Sequence, residues 1–301
     1  MDVFHRNDFQ AGCHLLASAL SFVGSFRTLW IILTTKFYRK QKSFQIMANV
    51  NVMECVQMII CFLGGIVVLD ENIVSRTMNR ALGALLMAVW IGLVYMRLVL
   101  AINRFATITQ YKRTKLLNTT YFHWGSIIVC WLFMIGSTTV CLIRLDVLYM
   151  NRDISTWDYY DFEAPFRYFD RFSSLFTVSV GFSFYIYTWG FIMKHKKHDK
   201  SSDIRLFFAF AGSFCFEIGN ILSFNVVPHF FALGNDAFRI MTVCWILVPA
   251  FNALMLLSIN GYCKVIELME MNDVNHILIG VVSLSVTIMA LICLLIISYV
   301  G

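Results

Sequence analysis

The 301-residue chain is 59% hydrophobic and only 14% charged, with a formal charge of +6 and a mean hydropathy of +0.70. A soluble domain is about 45–50% apolar and about 25% charged and must present polar groups over its surface, so a water-soluble enzyme, a nucleic-acid binder and a disordered chain are excluded as classes. Three prolines and sixteen glycines also exclude a linker or collagen-like composition, and a polytopic membrane protein remains.

Met1 to Gly12 is polar and mixed in charge, without a small-residue cleavage site. The first span is therefore expected to act as its own insertion signal. A bilayer core about 30 Å thick takes about 20 apolar helical residues. Eight runs qualify, at roughly 12–35, 44–69, 81–103, 122–143, 172–193, 206–232, 238–260 and 274–300. Barrel strands are shorter, about 9–11 residues, and alternate. Charges well inside a run are few: Arg27, Glu54, Arg97 and Glu217.

The connections orient the bundle. Lys36, Arg39, Lys40 and Lys42 follow the first run; Arg104, Lys112, Arg113 and Lys115 follow the third; Lys194, Lys196, Lys197, Lys200 and Arg205 follow the fifth; Lys264 follows the seventh. These hold 14 of the 24 basic residues, against 8 in the opposite loops. By the positive-inside rule the odd-numbered loops are cytoplasmic and the N-terminus is outside. The sequon Asn118-Thr119-Thr120 then lies inside and is expected to stay unglycosylated.

In the second run, Asn51 and Glu54 stand within one helical turn. In the third, Arg97 precedes Arg104 by seven residues, two turns on the same face, so both should point into the bundle. Intramembrane charges are functional candidates by default, and Glu54 and Glu217 are both plausible partners for Arg97. Two readings stand: a structural ion pair, or a lock between spans two, three and six that loosens on activation. The outer segment 146–171 is acidic and aromatic, with Trp157-Asp158-Tyr159-Tyr160-Asp161-Phe162 and Phe166-Arg167-Tyr168-Phe169. It fits a lid over a pocket and equally an interfacial belt.

The nine cysteines show no CxxC or CxxH spacing, so no metal site is expected. His195-Lys196-Lys197-His198 is the only close His pair, and no G-x-S-x-G string occurs; no enzymatic activity is expected.

Seven spans, an outside N-terminus and the string Leu100-Ala101-Ile102-Asn103-Arg104-Phe105 closing span three resemble the rhodopsin-like G-protein-coupled receptors. The Asn-Arg-Phe variant resembles the nematode serpentine chemoreceptors of the Srx and Srt classes, over roughly residues 12–263. The resemblance implies an all-α membrane protein with a seven-transmembrane helix bundle at 1–263. Helical spacing adds a juxtamembrane amphipathic segment at 264–273, and length adds an additional C-terminal apolar helix at 274–301, a departure from the family with two readings: a true eighth span, or a reading frame that runs past an exon boundary. Cys263 is a palmitoylation candidate. Arg104, with Asn103 and Phe105, would meet the G protein. Asn103 replaces the usual acid and can offer Arg104 a hydrogen bond but no ion pair. Pro249 stands where the family kinks span seven, with Val248 and Asn252 in place of the usual Asn and Tyr. Asn51 is the match to the superfamily's mid-membrane Asp, and its neutrality argues against the usual sodium site.

The superfamily's disulfide between span three and the outer loop is absent: counting back from Arg104 lands on Asn79, and the loop has no Cys. The implied pocket lies among the outer halves of spans three, five, six and seven, with Leu86, Trp90, Ser174, Thr177, Asn225, His229, Thr242 and Trp245 as candidates. No lysine lies in span seven, so a retinal Schiff base is excluded and no cofactor is expected.

The expected function is a chemosensory receptor in the plasma membrane of sensory cells. Its partners would be a small odorant or pheromone, membrane lipid and a heterotrimeric G protein, with no nucleic acid. The alternative is a small transporter or channel with an intramembrane charged path.

Overall fold

A computed structural model describes residues 3–70, 72–109, 116–144, 148–159, 165–194, 201–230 and 234–256. The juxtamembrane segment 264–273, the apolar run 274–301, Cys263 and the pair His195 and His198 lie outside the described residues. The elements are α1 (Val3–Thr34), α2 (Lys36–Lys40), α3 (Lys42–Leu69), α4 (Arg76–Thr109), α5 (Thr120–Arg144), β1 (Leu148–Asn151), β2 (Thr156–Tyr159), α6 (Pro165–Lys194), α7 (Ser201–Asn225), α8 (Val227–Phe230) and α9 (Asn235–Ile246).

Seven helices are long and apolar enough to cross a membrane, within Asp8–Thr34, Lys42–Leu69, Arg76–Thr109, Thr120–Ile143, Phe166–Lys194, Phe207–Asn225 and Asn235–Leu256. They match the first seven apolar runs. Helices are the expected solution because hydrocarbon offers no partner to a free backbone N–H or C=O. α4 is the central helix, packed against α3, α5, α6 and β1. Its buried face carries Leu86, Leu93, Met96 and Leu100, and the largest core cluster joins it to Met53 of α3 and to Phe207 and Phe214 of α7. The outer face of α1 leaves Leu16, Leu20, Val23 and Trp30 exposed, as an apolar, lipid-contacting stripe requires.

Local chemistry sets the helix ends. Ser75 Oγ accepts the Met78 N–H at 3.2 Å and starts α4, and Thr119 Oγ1 does the same for Phe122 in α5. Asn118 spends its side-chain amide on the Ala106 carbonyl at 3.1 Å, and its own carbonyl accepts from Lys42 Nζ, tying the inner ends of α3, α4 and α5. Helix α9 is interrupted by a turn at Leu247 and resumes through residue 256. Pro249, two residues on, has no N–H to give, and Ser21 Oγ of α1 donates to the Ile246 carbonyl at 2.6 Å.

The outer segment contains an element the sequence reading did not foresee, an antiparallel hairpin with Leu148 opposite Tyr159 and Asn151 opposite Thr156. It is seated on two glycines. A methyl group on Gly83 would lie 2.0 Å from the Leu148 carbonyl oxygen, and one on Gly64 would lie 2.8 Å from the Trp157 ring. Only a residue without Cβ permits this approach. Asn79 clamps the same strand with both ends of its amide: Nδ2 donates to the Met150 carbonyl at 3.0 Å, and Oδ1 accepts the Met150 N–H at 2.9 Å. The position expected to have lost a covalent staple thus holds the hairpin by paired hydrogen bonds. Cys13, Cys61 and Cys141 are all free.

Candidate functional site

Two sites share the central helices. The inner one is a buried polar node. Arg97 of α4 donates through Nη2 to Glu54 Oε1 of α3 at 2.7 Å and through Nη1 to Glu217 Oε1 of α7. Glu54 takes two further donors, Ser25 Oγ of α1 at 2.9 Å and Asn252 Nδ2 of the last span at 3.0 Å. Arg97 is 8% exposed, Glu54 1% and Glu217 3%. Five of the seven spans therefore meet at one guanidinium and two carboxylates. A cavity of about 40 Å³ opens beside them, lined in part by Asn51, Tyr185 and Asn252, with room for a water or two.

Both candidate partners of Arg97 are thus engaged at once. Asn252, which stands where the superfamily has Tyr and was named with Pro249 among the residues of activation, reaches this node, and Pro249 is buried one turn away. Asn51 bonds its own helix at the Met47 carbonyl, 2.8 Å away. Arg27, the remaining intramembrane charge, is exposed on the outer face of α1 and takes no part.

Two turns further along α4, Arg104 is 2% exposed, and its guanidinium lies 4.5 Å from the centre of the Phe210 ring of α7. Asn103 points elsewhere: its Oδ1 accepts from Ser43 Oγ of α3 at 2.6 Å. Phe105 packs on Phe184 and Tyr187 of α6. The three residues of the Asn-Arg-Phe string thus reach three different helices, as successive residues on a 100°-per-residue helix must. The charged side chain faces span six.

The outer site is a cavity of about 390 Å³ roofed by the hairpin, walled by α4, α7 and α9 and closed on one side by the start of α6. Of the eight residues named from the sequence, Leu86, Trp90, Asn225, Thr242 and Trp245 line it. Ser174 stands behind the wall, donating to Asp170 at 3.0 Å. Thr177 is buried away from the cavity, with no partner for its hydroxyl among the described residues. The side chain of His229 is outside the described set.

The sequence reading missed Asp170. Its carboxylate accepts from Trp90 Nε1 at 3.1 Å, Tyr159 Oη at 2.8 Å and Ser174, joining α4, β2 and α6 at the cavity wall. Desolvation and the adjacent Asp170 charge push the Tyr159 phenol well above its usual range, so it remains a donor. The signal for Asp170 was an acid one turn before a serine at the mouth of an apolar run. Trp157 and Tyr159 turn inward to the cavity, whereas Tyr168, Phe169 and Phe172 are exposed on the outside of α6. The described aromatic residues therefore divide: Trp157 and Tyr159 of β2 face the cavity, and Tyr168, Phe169 and Phe172 of α6 face outward.

Further bonds hold the lid. Thr156 and Thr242 hydroxyls pair at 2.6 Å, and Arg239 Nη2 donates to the Asp153 carbonyl at 2.7 Å.

A bundle of seven spans, a cavity at one end of it and a buried arginine at the other end of span three agree with one comparison. The family model described as serpentine type 7TM GPCR chemoreceptor Srx matches residues 19–260. The chain belongs to the Srx family. Among curated proteins, none matches it. Membership makes this a multi-pass membrane protein of a chemoreceptor family. The matched segment contains the whole polar node, the Asn-Arg-Phe string and every described residue of the outer cavity.

Proposed function

We propose that the chain is a chemosensory receptor of the plasma membrane, with its N-terminus outside. A small external molecule enters the outer cavity, and a heterotrimeric G protein is activated when the cytoplasmic end of the bundle opens. The observation that carries this reading is that the same helices serve both ends. α4, α7 and α9 wall the cavity, while α4 and α7 also hold Arg97 to Glu217 and Arg104 to Phe210. A ligand that repositions α7 against α4 acts on both inner contacts.

No chemical step is involved. Ligand binding shifts an existing closed-to-open equilibrium in proportion to its preference for the open state. A full switch from about 1:99 to 99:1 takes about 5.5 kcal/mol of differential affinity. In the closed state the node and the Arg104–Phe210 contact are the restraints to be relaxed. Opening exposes Arg104, with Asn103 and Phe105 beside it, to the G protein α-subunit. The basic inner loops suit an acidic partner surface.

A G-protein reporter in cells expressing the chain tests the proposal, with the response to an odorant panel compared between wild type and Arg104→Ala at matched surface expression. A response in the wild type that the substitution abolishes supports it. A response that survives Arg104→Ala rejects it.

A further inference from the structure

Resting on the receptor reading above, we propose that the outer cavity selects an uncharged small molecule, with an aromatic or aliphatic body and one hydrogen-bonding group such as an alcohol, over ammonium and carboxylate ions of the same skeleton.

The selection follows from the polar groups on the described cavity wall. Its charges balance, with Asp158 and Asp170 against Arg167 and Arg171. The charge nearest the aromatic wall is already satisfied, because Asp170 takes three donors from the protein. Arg167 lies 5.9 Å from the centre of the Tyr159 ring, the same ring whose hydroxyl binds Asp170. An ammonium ligand would have to compete with those donors beside two guanidinium groups. A carboxylate ligand would have to part the arginines from the groups they hold. Either ion would also lose its hydration in a space dominated by rings, which is costly unless a full partner replaces the water.

The polar groups left over are neutral. Asn220 and Asn225 of α7 each spend one amide N–H on their own helix, on the Phe216 and Ile221 carbonyls at 2.9 and 3.0 Å. Each keeps a carbonyl oxygen and a second N–H, with no further partner among the described residues. The Trp245 indole N–H likewise makes no hydrogen bond among them, and its ring meets Trp90 edge-on at 5.6 Å. Thr242 donates to the Phe238 carbonyl at 2.8 Å and Thr156 donates to Thr242, so both hydroxyl protons are spent within the protein and only neutral acceptor oxygens remain. The wall therefore offers apolar faces with neutral acceptors and donors on one side, the lining of a pocket for a small organic molecule.

The test uses the full chain, purified into lipid nanodiscs, and reads tryptophan fluorescence and thermal melting. The probes are 2-phenylethanol, phenylacetate, 2-phenylethylammonium and ethylbenzene at neutral pH. The expected result is saturable binding of the alcohol with at least about tenfold preference over both ions, as expected where a buried charge has no free partner. Asn220→Leu with Asn225→Leu should weaken the alcohol by about tenfold, the loss of one or two neutral hydrogen bonds, while ethylbenzene binding stays within about twofold. An ion that binds as tightly as the alcohol overturns the proposal, and so does failure of every probe to bind. If the double variant does not fold, the ranking on the wild type decides. Because binding is read without a G protein, failure here leaves the Arg104→Ala result standing, and the converse holds as well.

Discussion

Arg97→Met removes the cation of the central node and leaves Glu54 and Glu217 facing each other without a counter-charge. The cost follows from burial and partner number. All three side chains are 9% exposed or less. Removing one member of such a buried group costs about 3–5 kcal/mol, chiefly because the remaining charge is stranded. Glu54 keeps Ser25 and Asn252 as donors, whereas Arg97 is the one hydrogen-bond donor found for Glu217 among the described residues. The larger share of the loss therefore falls on Glu217, and Glu217→Gln in the Arg97→Met background should recover part of it.

Against a folded stability of about 5–15 kcal/mol, and with about 2–4 °C of Tm per kcal/mol for a chain of this order of size, Arg97→Met should melt on the order of 10 °C below wild type. Replacing all three by Met and Leu should recover most of the loss, since apolar replacement of a buried ion group is often neutral. It should fall short by the hydrogen bonds that Ser25 and Asn252 then lose, about 1 kcal/mol each. The assay is thermal melting of the purified protein, followed by tryptophan fluorescence, in a double-mutant cycle of Arg97→Met and Glu217→Gln. Additivity within about 0.5 kcal/mol, or an Arg97→Met variant that melts with the wild type, would refute the reasoning.

Three further predictions concern the lid and the inner contact. Phe210→Leu removes a buried cation–π contact worth about 0.5–2 kcal/mol, and so should raise ligand-independent signalling several-fold in the G-protein reporter; unchanged or lower basal signal counts against the contact as a restraint. Asn79→Ala strands the N–H and C=O of Met150, about 1–3 kcal/mol, and should accelerate hydrogen exchange across the hairpin, as read by mass spectrometry, with helix exchange unchanged. Gly83→Ala places a methyl group where the Leu148 carbonyl oxygen now sits, 2.0 Å away, and should unseat the hairpin more completely than Asn79→Ala; equal exchange in the two variants would show that the close approach is not a constraint.

The spans were legible because hydrocarbon enforces helices of a minimum apolar length, and nothing competes with that signal. Glu54, Arg97 and Glu217 stood out for the same reason: a charge inside an apolar run needs a partner. The sequence showed who needed partners, but not that both carboxylates share one guanidinium, because that depends on how α3 and α7 approach α4. Phe210 was invisible as a partner of Arg104, being one of 28 phenylalanines with nothing to distinguish the one facing an arginine.

The hairpin was missed because its strands are four residues each and gain their support from Gly64, Gly83 and Asn79, far away in sequence. Asp170 was missed because it is one of six acids between residues 144 and 171. Its role appears only when β2 brings Tyr159 against it. The cavity lining was half legible: Trp90, Trp245, Asn225 and Thr242, at the ends of apolar runs, do line it, while Thr177, equally plausible on spacing, faces elsewhere.

The central claim is that the inner ends of spans three and six are held together at rest and separate when a G protein engages. Spin labels at positions 108 and 208, one on each helix near the inner end, report that separation directly as a distance distribution in nanodiscs. The free protein should show a single short-distance population, and addition of nucleotide-free heterotrimer should add a second, longer one, enlarged in Phe210→Leu. A distribution that stays short with the G protein bound, or that is already long in its absence, would contradict it.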